Sequence, residues 1–336
     1  MIDKKIQDLI EKALLLKKKF SLKYFVFTLG NTRVNVKGSY YFTPFRKGEN
    51  FILFGAVVFS EKEGSFFLEK LDSVADIIYV DCEKKSKNIE SSNGNFNLER
   101  LSHEIIKDSK LRFFKGNDLT VSTIDSLVFN ILKSQKKLVG GSKILVVGMG
   151  NVGFKISLKL VERGANIKIL SKNINRTEKL VQSLNEIKPS ETISEVKLVD
   201  IKNSVDLKKM NIIILCHLSS LEEYSEYYKN CDKSTVFIDV GKGCLTANQI
   251  EFLNANGNYC LRLDIGDFLI DYINMDIKQA FRNFEIPKSK KIDSIRYINR
   301  GLIGVKGDVV VDDINNPTFK YGICDGKGGF IKKDYS

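Results

Sequence analysis

Hydrophobic positions along the chain fall into two textures. Through the first 125 residues, apolar runs at 24–29, 51–59 and 75–80, rich in Phe, Val and Ile, predict strands, while 98–108 and 123–136 keep helical spacing. A Gly140-Gly141 break follows, as a turn would. Beyond it the pattern becomes a regular alternation. Strands are predicted at 143–147, 166–170, 196–199, 211–216, 235–240 and 259–263, with helices between them at 152–164, 176–186, 219–229 and 247–255. Several of these strands are unbroken apolar runs, which suits burial on both faces and a parallel, doubly wound sheet. A further helix is predicted over 268–284. From Gly301 the texture changes to short strand-like pieces, 302–305 and 309–311, among Gly, Asp and Asn.

The expected architecture is therefore α/β. A substrate and catalytic domain takes 1–125, a Rossmann doubly wound domain takes 126–266, and a returning helix with a small β-rich appendage takes 267–336. The tail either covers a substrate cleft or contributes to a homo-oligomer contact.

The sharpest chemical signal is Gly148-Met149-Gly150-Asn151-Val152-Gly153, a GxGxxG directly after the first strand of the alternation and before a helix. Gly148 permits the tight turn, Gly150 lets backbone approach a pyrophosphate, and Gly153 lets helix and strand pack closely. The amides of the helix start then face the phosphates. The next strand ends in Ser171-Lys172-Asn173, with Arg176 shortly after, and carries no acid there. A carboxylate at this place holds the ribose of NAD, whereas Lys172 or Arg176 would pair with a 2′-phosphate. The expected cofactor is NADP(H), ahead of NAD(H). The alternative for both cations is a solvated helix start. After the fifth strand of the alternation, Val240-Gly241 with Lys242-Gly243 is placed to line the nicotinamide end, or forms a plain turn.

Charge and composition narrow the classes. The formal net charge is +12, but the lysines are dispersed and no nucleic-acid signature accompanies them, so the expected partner is an anionic small molecule rather than nucleic acid. Residues 1–20 interleave Lys, Asp and Glu with Ile and Leu, which is a surface helix pattern rather than an export signal. No apolar run is long enough to span a bilayer, and a cytoplasmic location without a membrane partner is expected. The 6 cysteines lack CxxC spacing and the 2 histidines form no metal-ligand cluster, so reduced thiols and no metal site are expected.

Several further stretches resemble the shikimate dehydrogenase family. Ser171-Lys172-Asn173 is similar to its Asn-Arg-Thr cofactor-phosphate motif, and Cys216-His217-Leu218-Ser219-Ser220 to its Asn-Ala-Thr-Ser-Ser turn beside the cofactor. Met275 to Phe284 matches its closing Met-x-x-x-Gln-Ala-x-x-x-Phe helix, and the resemblance implies a substrate contact for Gln279. Thr123-Ile124-Asp125-Ser126 sits where the family has Asn-Thr-Asp-Gly, which implies that Asp125 is the catalytic aspartate. Its partner lysine would be Lys84 or Lys85, just past the strand ending at Val80. Such a pair relays the hydroxyl proton while hydride moves to or from nicotinamide. The alternatives are a helix-start carboxylate for Asp125, solvated charges for the lysines and a packing role for His217.

The family's Ser-x-Ser-Pro and Asn-Val-Thr-x-Pro-x-Lys segments are missing from the N-terminal part, so the expected substrate is a small anionic alcohol or ketone other than shikimate. The competing readings are three. GxGNVG also resembles the loop of amino-acid dehydrogenases, Cys82 would serve a glutamyl-tRNA reductase-like enzyme, and a silent NADP(H)-binding sensor or scaffold needs no catalyst at all.

Overall fold

Two parallel sheets, each with its own switch in strand order, are the framework on which the candidate site stands. The computed structural model describes residues 2–32, 40–85, 97–199, 209–217, 224–280 and 288–331. Residues 1–272 form one compact unit and residues 273–336 a second.

The first sheet takes β1 (Tyr24–Asn31), β2 (Tyr41–Phe42), β3 (Arg46–Lys47), β4 (Phe51–Val58), β5 (Ile77–Asp81) and β6 (Lys110–Phe114). Its order is β2-β4-β1-β5-β6, with β3 also on β4. Strands β4, β1, β5 and β6 run parallel, and β2 and β3 close the edge antiparallel. Helices α1 (Ile2–Lys19), α2 (Glu61–Leu71) and α3 (Leu98–Ile105) accompany it. Alternate residues Phe25, Phe27, Leu29, Phe54, Ile78 and Val80 share one core with Ile6, Ile10, Phe67 and Leu101 from those helices. Helix α2 starts where Ser60 accepts the Glu63 amide and the Glu63 carboxylate accepts the Phe59 amide.

The second sheet is wholly parallel and has the order β12-β11-β10-β7-β8-β9. Its strands are β7 (Lys143–Val147), β8 (Asn166–Leu170), β9 (Val196–Leu198), β10 (Ile212–Leu215), β11 (Val236–Asp239) and β12 (Tyr259–Arg262). Ile144, Val146, Ile212, Ile214 and Ile238 face one core, and Leu145, Val147, Ile213, Leu215 and Phe237 face the other. Burial on both faces explains the unbroken apolar runs in the sequence. Helices α4 (Gly116–Ser134), α5 (Asn151–Glu162), α6 (Ile174–Ile187), α7 (Ser225–Tyr228) and α8 (Ala247–Ala255) accompany this sheet. This is the expected Rossmann arrangement.

The boundary expected at residue 125 falls inside α4. Ile124, Val128 and Leu132 of that helix belong to the second core, so the whole helix packs with the Rossmann sheet. Helix α9 (Gly266–Ala280) returns to the first sheet, where the Tyr272 hydroxyl donates to the Phe113 carbonyl at 3.0 Å.

The C-terminal unit carries a five-stranded sheet of β13 (Ser289–Ile292), β14 (Ile295–Asn299), β15 (Val309–Val311), β16 (Lys320–Cys324) and β17 (Phe330–Ile331). It is antiparallel except for the β14–β15 pair. The β-rich tail is as expected, but the predicted strand at 302–305 is irregular chain. Its Val305 amide is held by Asp308 in a turn instead of a ladder.

Candidate functional site

In open α/β sheets, ligands bind beyond the carboxyl ends of strands where the strand order reverses. In the second sheet that place lies between β7 and β10, and the glycine loop occupies it. Gly148 has φ +98°, a conformation that side chains rarely adopt. A Cβ on Gly153 would overlap the Gly148 carbonyl oxygen, whereas a Cβ on Gly150 would meet nothing within 4 Å. No side chain caps α5, so its first amides are left for another acceptor. Met149 is buried in the core and Val152 packs against it, so this stretch offers backbone to a ligand. The cradle fits a dinucleotide pyrophosphate.

At the end of β8, Ser171 is half-buried, and Lys172 and Arg176 are exposed at the start of α6. Asn173 is that helix's N-cap, accepting the Arg176 amide at 3.1 Å, so its side-chain oxygen serves the fold. Across the switch, burial pushes the Cys216 thiol up to about 12, which keeps it uncharged. The His217 ring packs edge-on to Tyr224, and its carbonyl accepts from the Cys244 thiol at 3.0 Å. A Cβ on Gly241 would overlap that same carbonyl, so the Val240-Gly241 turn must pass close beneath His217.

The first sheet has its own reversal, between β1 and β5, and the residues there form a dense polar cluster. Asp81 ends β5 and is 2% exposed. Its carboxylate accepts the Lys85 ammonium at 2.5 Å and the amides of Glu83 and Gly116 at 3.1 and 3.2 Å. Glu83 lies 3.4 Å from the same ammonium and accepts the Asn117 amide at 2.7 Å. Asn31, ending β1, donates to the Glu83 carbonyl at 2.9 Å. Burial raises the Asp81 carboxyl above the ordinary aspartate range, and the Lys85 charge counters part of that rise. A Cβ on Gly116 would come within 2.7 Å of the Lys85 Nζ, so glycine keeps the space above this pair open.

The two switch points meet through the parallel helices α4 and α5. Asn117 Nδ2 donates to Asn151 Oδ1 at 3.2 Å, and Lys155 pairs with Asp118 at 2.5 Å. Arg46 reaches Asp264, past β12, with both contacts at 2.9 Å. The Lys85–Asp81 pair is thereby brought up to the glycine-loop helix.

Asp125 does not join this site. It lies further along α4 and pairs with Arg163, the C-cap of α5, at 2.5 Å and with Lys159 at 3.4 Å. Because the helices run parallel, that is the end of α5 remote from the glycine loop, and the carboxylate joins two helices there. The aspartate beside the lysine is Asp81, which sequence comparison missed. Its signal was a lone acid closing the buried strand Ile-Ile-Tyr-Val, four residues before Lys85. Lys84 has no ion pair among the described residues. Gln279 belongs to α9, but its side chain lies outside the described residues, as do Leu218, Ser219 and Ser220 of the β10 turn. Cys82 donates to the Phe114 carbonyl, and burial raises its thiol, which argues against a nucleophilic cysteine.

Among the described residues no helix is long and apolar enough to cross a membrane, and no group of His, Cys, Asp and Glu could hold a metal. Residues 138–243 match a family model described as "Putative NAD(P)-binding". A search of curated proteins by sequence finds no match. Among solved structures, the chain is similar to the dipicolinate synthase A chain from Bacillus subtilis, at 13% identity over 64% of this chain and 68% of that one, with a TM-score of 0.36. It is also similar to the hetero-hexameric glutamate dehydrogenase from Thermus thermophilus, at 10% identity over 77% and 69%, with a TM-score of 0.42. A shikimate dehydrogenase in complex with NADP+ is similar at 12% identity over 71% and 84%, with a TM-score of 0.40. The chain carries an NAD(P)-binding domain.

Proposed function

We propose that the protein is an NADP(H)-dependent oxidoreductase that interconverts an alcohol and a carbonyl on a small anionic metabolite, with Lys85 and Asp81 handling the proton. The observation that carries this reading is the Lys85–Asp81 pair, 2.5 Å apart at one switch point and linked through Asn117 to Asn151 at the other.

Gly148, Gly150 and Gly153, with the amides opening α5, would hold the pyrophosphate, and Lys172 or Arg176 the 2′-phosphate. The cofactor, when bound, supplies or accepts a hydride. The chain's own residues do the rest. In the reductive direction the Lys85 ammonium donates a hydrogen bond to the carbonyl oxygen and delivers its proton as that oxygen becomes an alkoxide. Asp81, buried and raised, holds the ammonium in place and returns a proton to it from solvent. Glu83 fixes the start of α4 and shares the Lys85 charge.

The test is a screen of small keto acids and hydroxy acids for NADPH consumption or formation, run on wild type and Lys85→Met together. Turnover in wild type that falls about 100-fold or more in the variant, at unchanged NADPH affinity, supports the reading. Equal turnover in both removes Lys85 from the mechanism.

A further inference from the structure

Beyond β11 and β12, on the nicotinamide side of the switch point, stand two cations that the proposed chemistry has not used. Arg262 ends β12 as the register partner of Asp239, and Lys242 follows three residues after that aspartate. Neither has an ion pair or a side-chain hydrogen bond among the described residues. The carboxylates nearby are committed elsewhere. Asp239 accepts the amides of Lys242 and Gly243 at 2.8 Å and of Cys244 at 3.2 Å. Asp264 is held by both Arg46 contacts and also accepts the Gly266 amide at 2.8 Å. A Cβ on Gly266 would overlap the Arg46 guanidinium, so that side chain lies against the backbone where α9 begins.

The Asp239 grip also holds Lys242 at φ +60°, an uncommon conformation for a side-chain-bearing residue. Partial burial, and then the neighbouring Arg262 charge, push the Lys242 ammonium below the ordinary lysine range. Asp264 and Asp239 offset only part of that repulsion, and with neither cation in an ion pair among the described residues an anion would relieve the rest. Tyr41, on the edge strand β2, lies within electrostatic range of both places. Its phenol is raised by burial and feels both the Lys85 and the Arg262 charges.

We infer that Lys242 and Arg262 form a subsite for an anionic group of the substrate, a carboxylate or a phosphate, and so set the specificity of the reaction at Lys85. The inference rests on the oxidoreductase reading for its purpose, but the binding it describes is measurable without turnover. A substrate would then carry its acid toward Arg262 and its carbonyl or hydroxyl toward Lys85. This geometry selects an acid-bearing ketone or alcohol over a neutral one of the same size.

Calorimetry with oxalate and with inorganic phosphate, on the full chain saturated with NADPH, tests it. The expected result is saturable binding of at least one anion to wild type. Each of Lys242→Asn and Arg262→Gln should weaken it about tenfold or more, and Arg262→Lys should recover part of the loss. Asparagine is chosen because it tolerates the left-handed backbone at 242. NADPH affinity, measured separately by fluorescence, should stay within about twofold in every variant. The relative affinities of oxalate and phosphate identify which acid the subsite takes. Binding of neither anion to wild type, equal binding in wild type and both variants, or a parallel loss of NADPH affinity would each overturn the assignment. Lys85→Met separates the two proposals: it should keep the anion affinity while losing turnover, so either result can fail without the other.

Discussion

Asn117 and Asn151 open two parallel helices and hold each other at 3.2 Å, and that contact brings the carboxyl edges of two different sheets together. Gly116, one residue before Asn117, is held by Asp81, and Gly150, one residue before Asn151, is the open place in the cofactor cradle. The glycine cradle and the Lys85–Asp81 pair are therefore each one residue away from a shared contact. Replacing Asn117 by Ala should reduce turnover about tenfold while leaving NADPH affinity within about twofold, because it loosens the alignment and not the cradle. An equal fall in both quantities would mean that Asn117 serves the cofactor directly.

The Asp81 carboxyl is raised by burial, so the folded protein holds its proton more readily than the unfolded chain does. Its contribution to stability is then fullest below the ordinary aspartate range and is lost as pH rises through the folded value. The same displaced titration should appear as a limb in the pH profile of turnover, above the usual carboxylate range. Asp81→Asn should remove that limb and lower turnover about 100-fold. A profile whose limb survives in the variant would assign it to another group.

Asp125 ties α4 to Arg163 and Lys159. Asp125→Asn should leave turnover unchanged and cost about 1 kcal/mol of stability or less, as a partly exposed ion pair does. A 100-fold loss of turnover would restore Asp125 to the mechanism and contradict the site described here.

The glycines of the loop make separable predictions. Gly150→Ala should fold normally, since its methyl meets nothing within 4 Å, yet lose NADPH affinity about tenfold or more as that methyl enters the phosphate cradle. Gly153→Ala drives a methyl into the Gly148 carbonyl and should lower Tm by several degrees as well. Unimpaired nucleotide binding in Gly150→Ala would place the phosphates elsewhere.

Lys242 carries a depressed ammonium, caused first by partial burial and then by Arg262, with Arg46 adding and Asp264 and Asp239 opposing. The unfolded chain binds this proton more tightly, so stability should rise with pH from the depressed value up to the ordinary lysine range. Lys242→Asn should remove that rise of Tm with pH, even as it weakens anion binding. A lower Tm in this variant would indicate that the lysine is structural.

Much of this was legible in the sequence, for physical reasons that particular residues illustrate. Strands such as Ile212–Leu215 are apolar throughout because both faces are covered, and the glycine loop stands out because each glycine answers a separate steric demand. Strand β6 was missed because its residues alternate charge with half-buried apolar groups along a sheet edge. The true start of α4 was missed for a different reason. Lys115 gives no side-chain cap, and the amides of Gly116 and Asn117 are satisfied by Asp81 and Glu83, more than thirty residues earlier. The same long-range link hid the Lys85–Asp81 pair. Asp125 lies close to the glycine loop in sequence and is turned to the far end of the helix in space, whereas Asp81 is distant in sequence and adjacent in the fold.

Whether the cradle at Gly150 takes a dinucleotide carrying a 2′-phosphate is decided by calorimetric titration of the wild-type chain with NADPH and with NADH. Saturable binding of one nucleotide per chain is expected, with NADPH preferred about tenfold or more over NADH and the preference reversed in Lys172→Asp. No saturable heat from either nucleotide would contradict it.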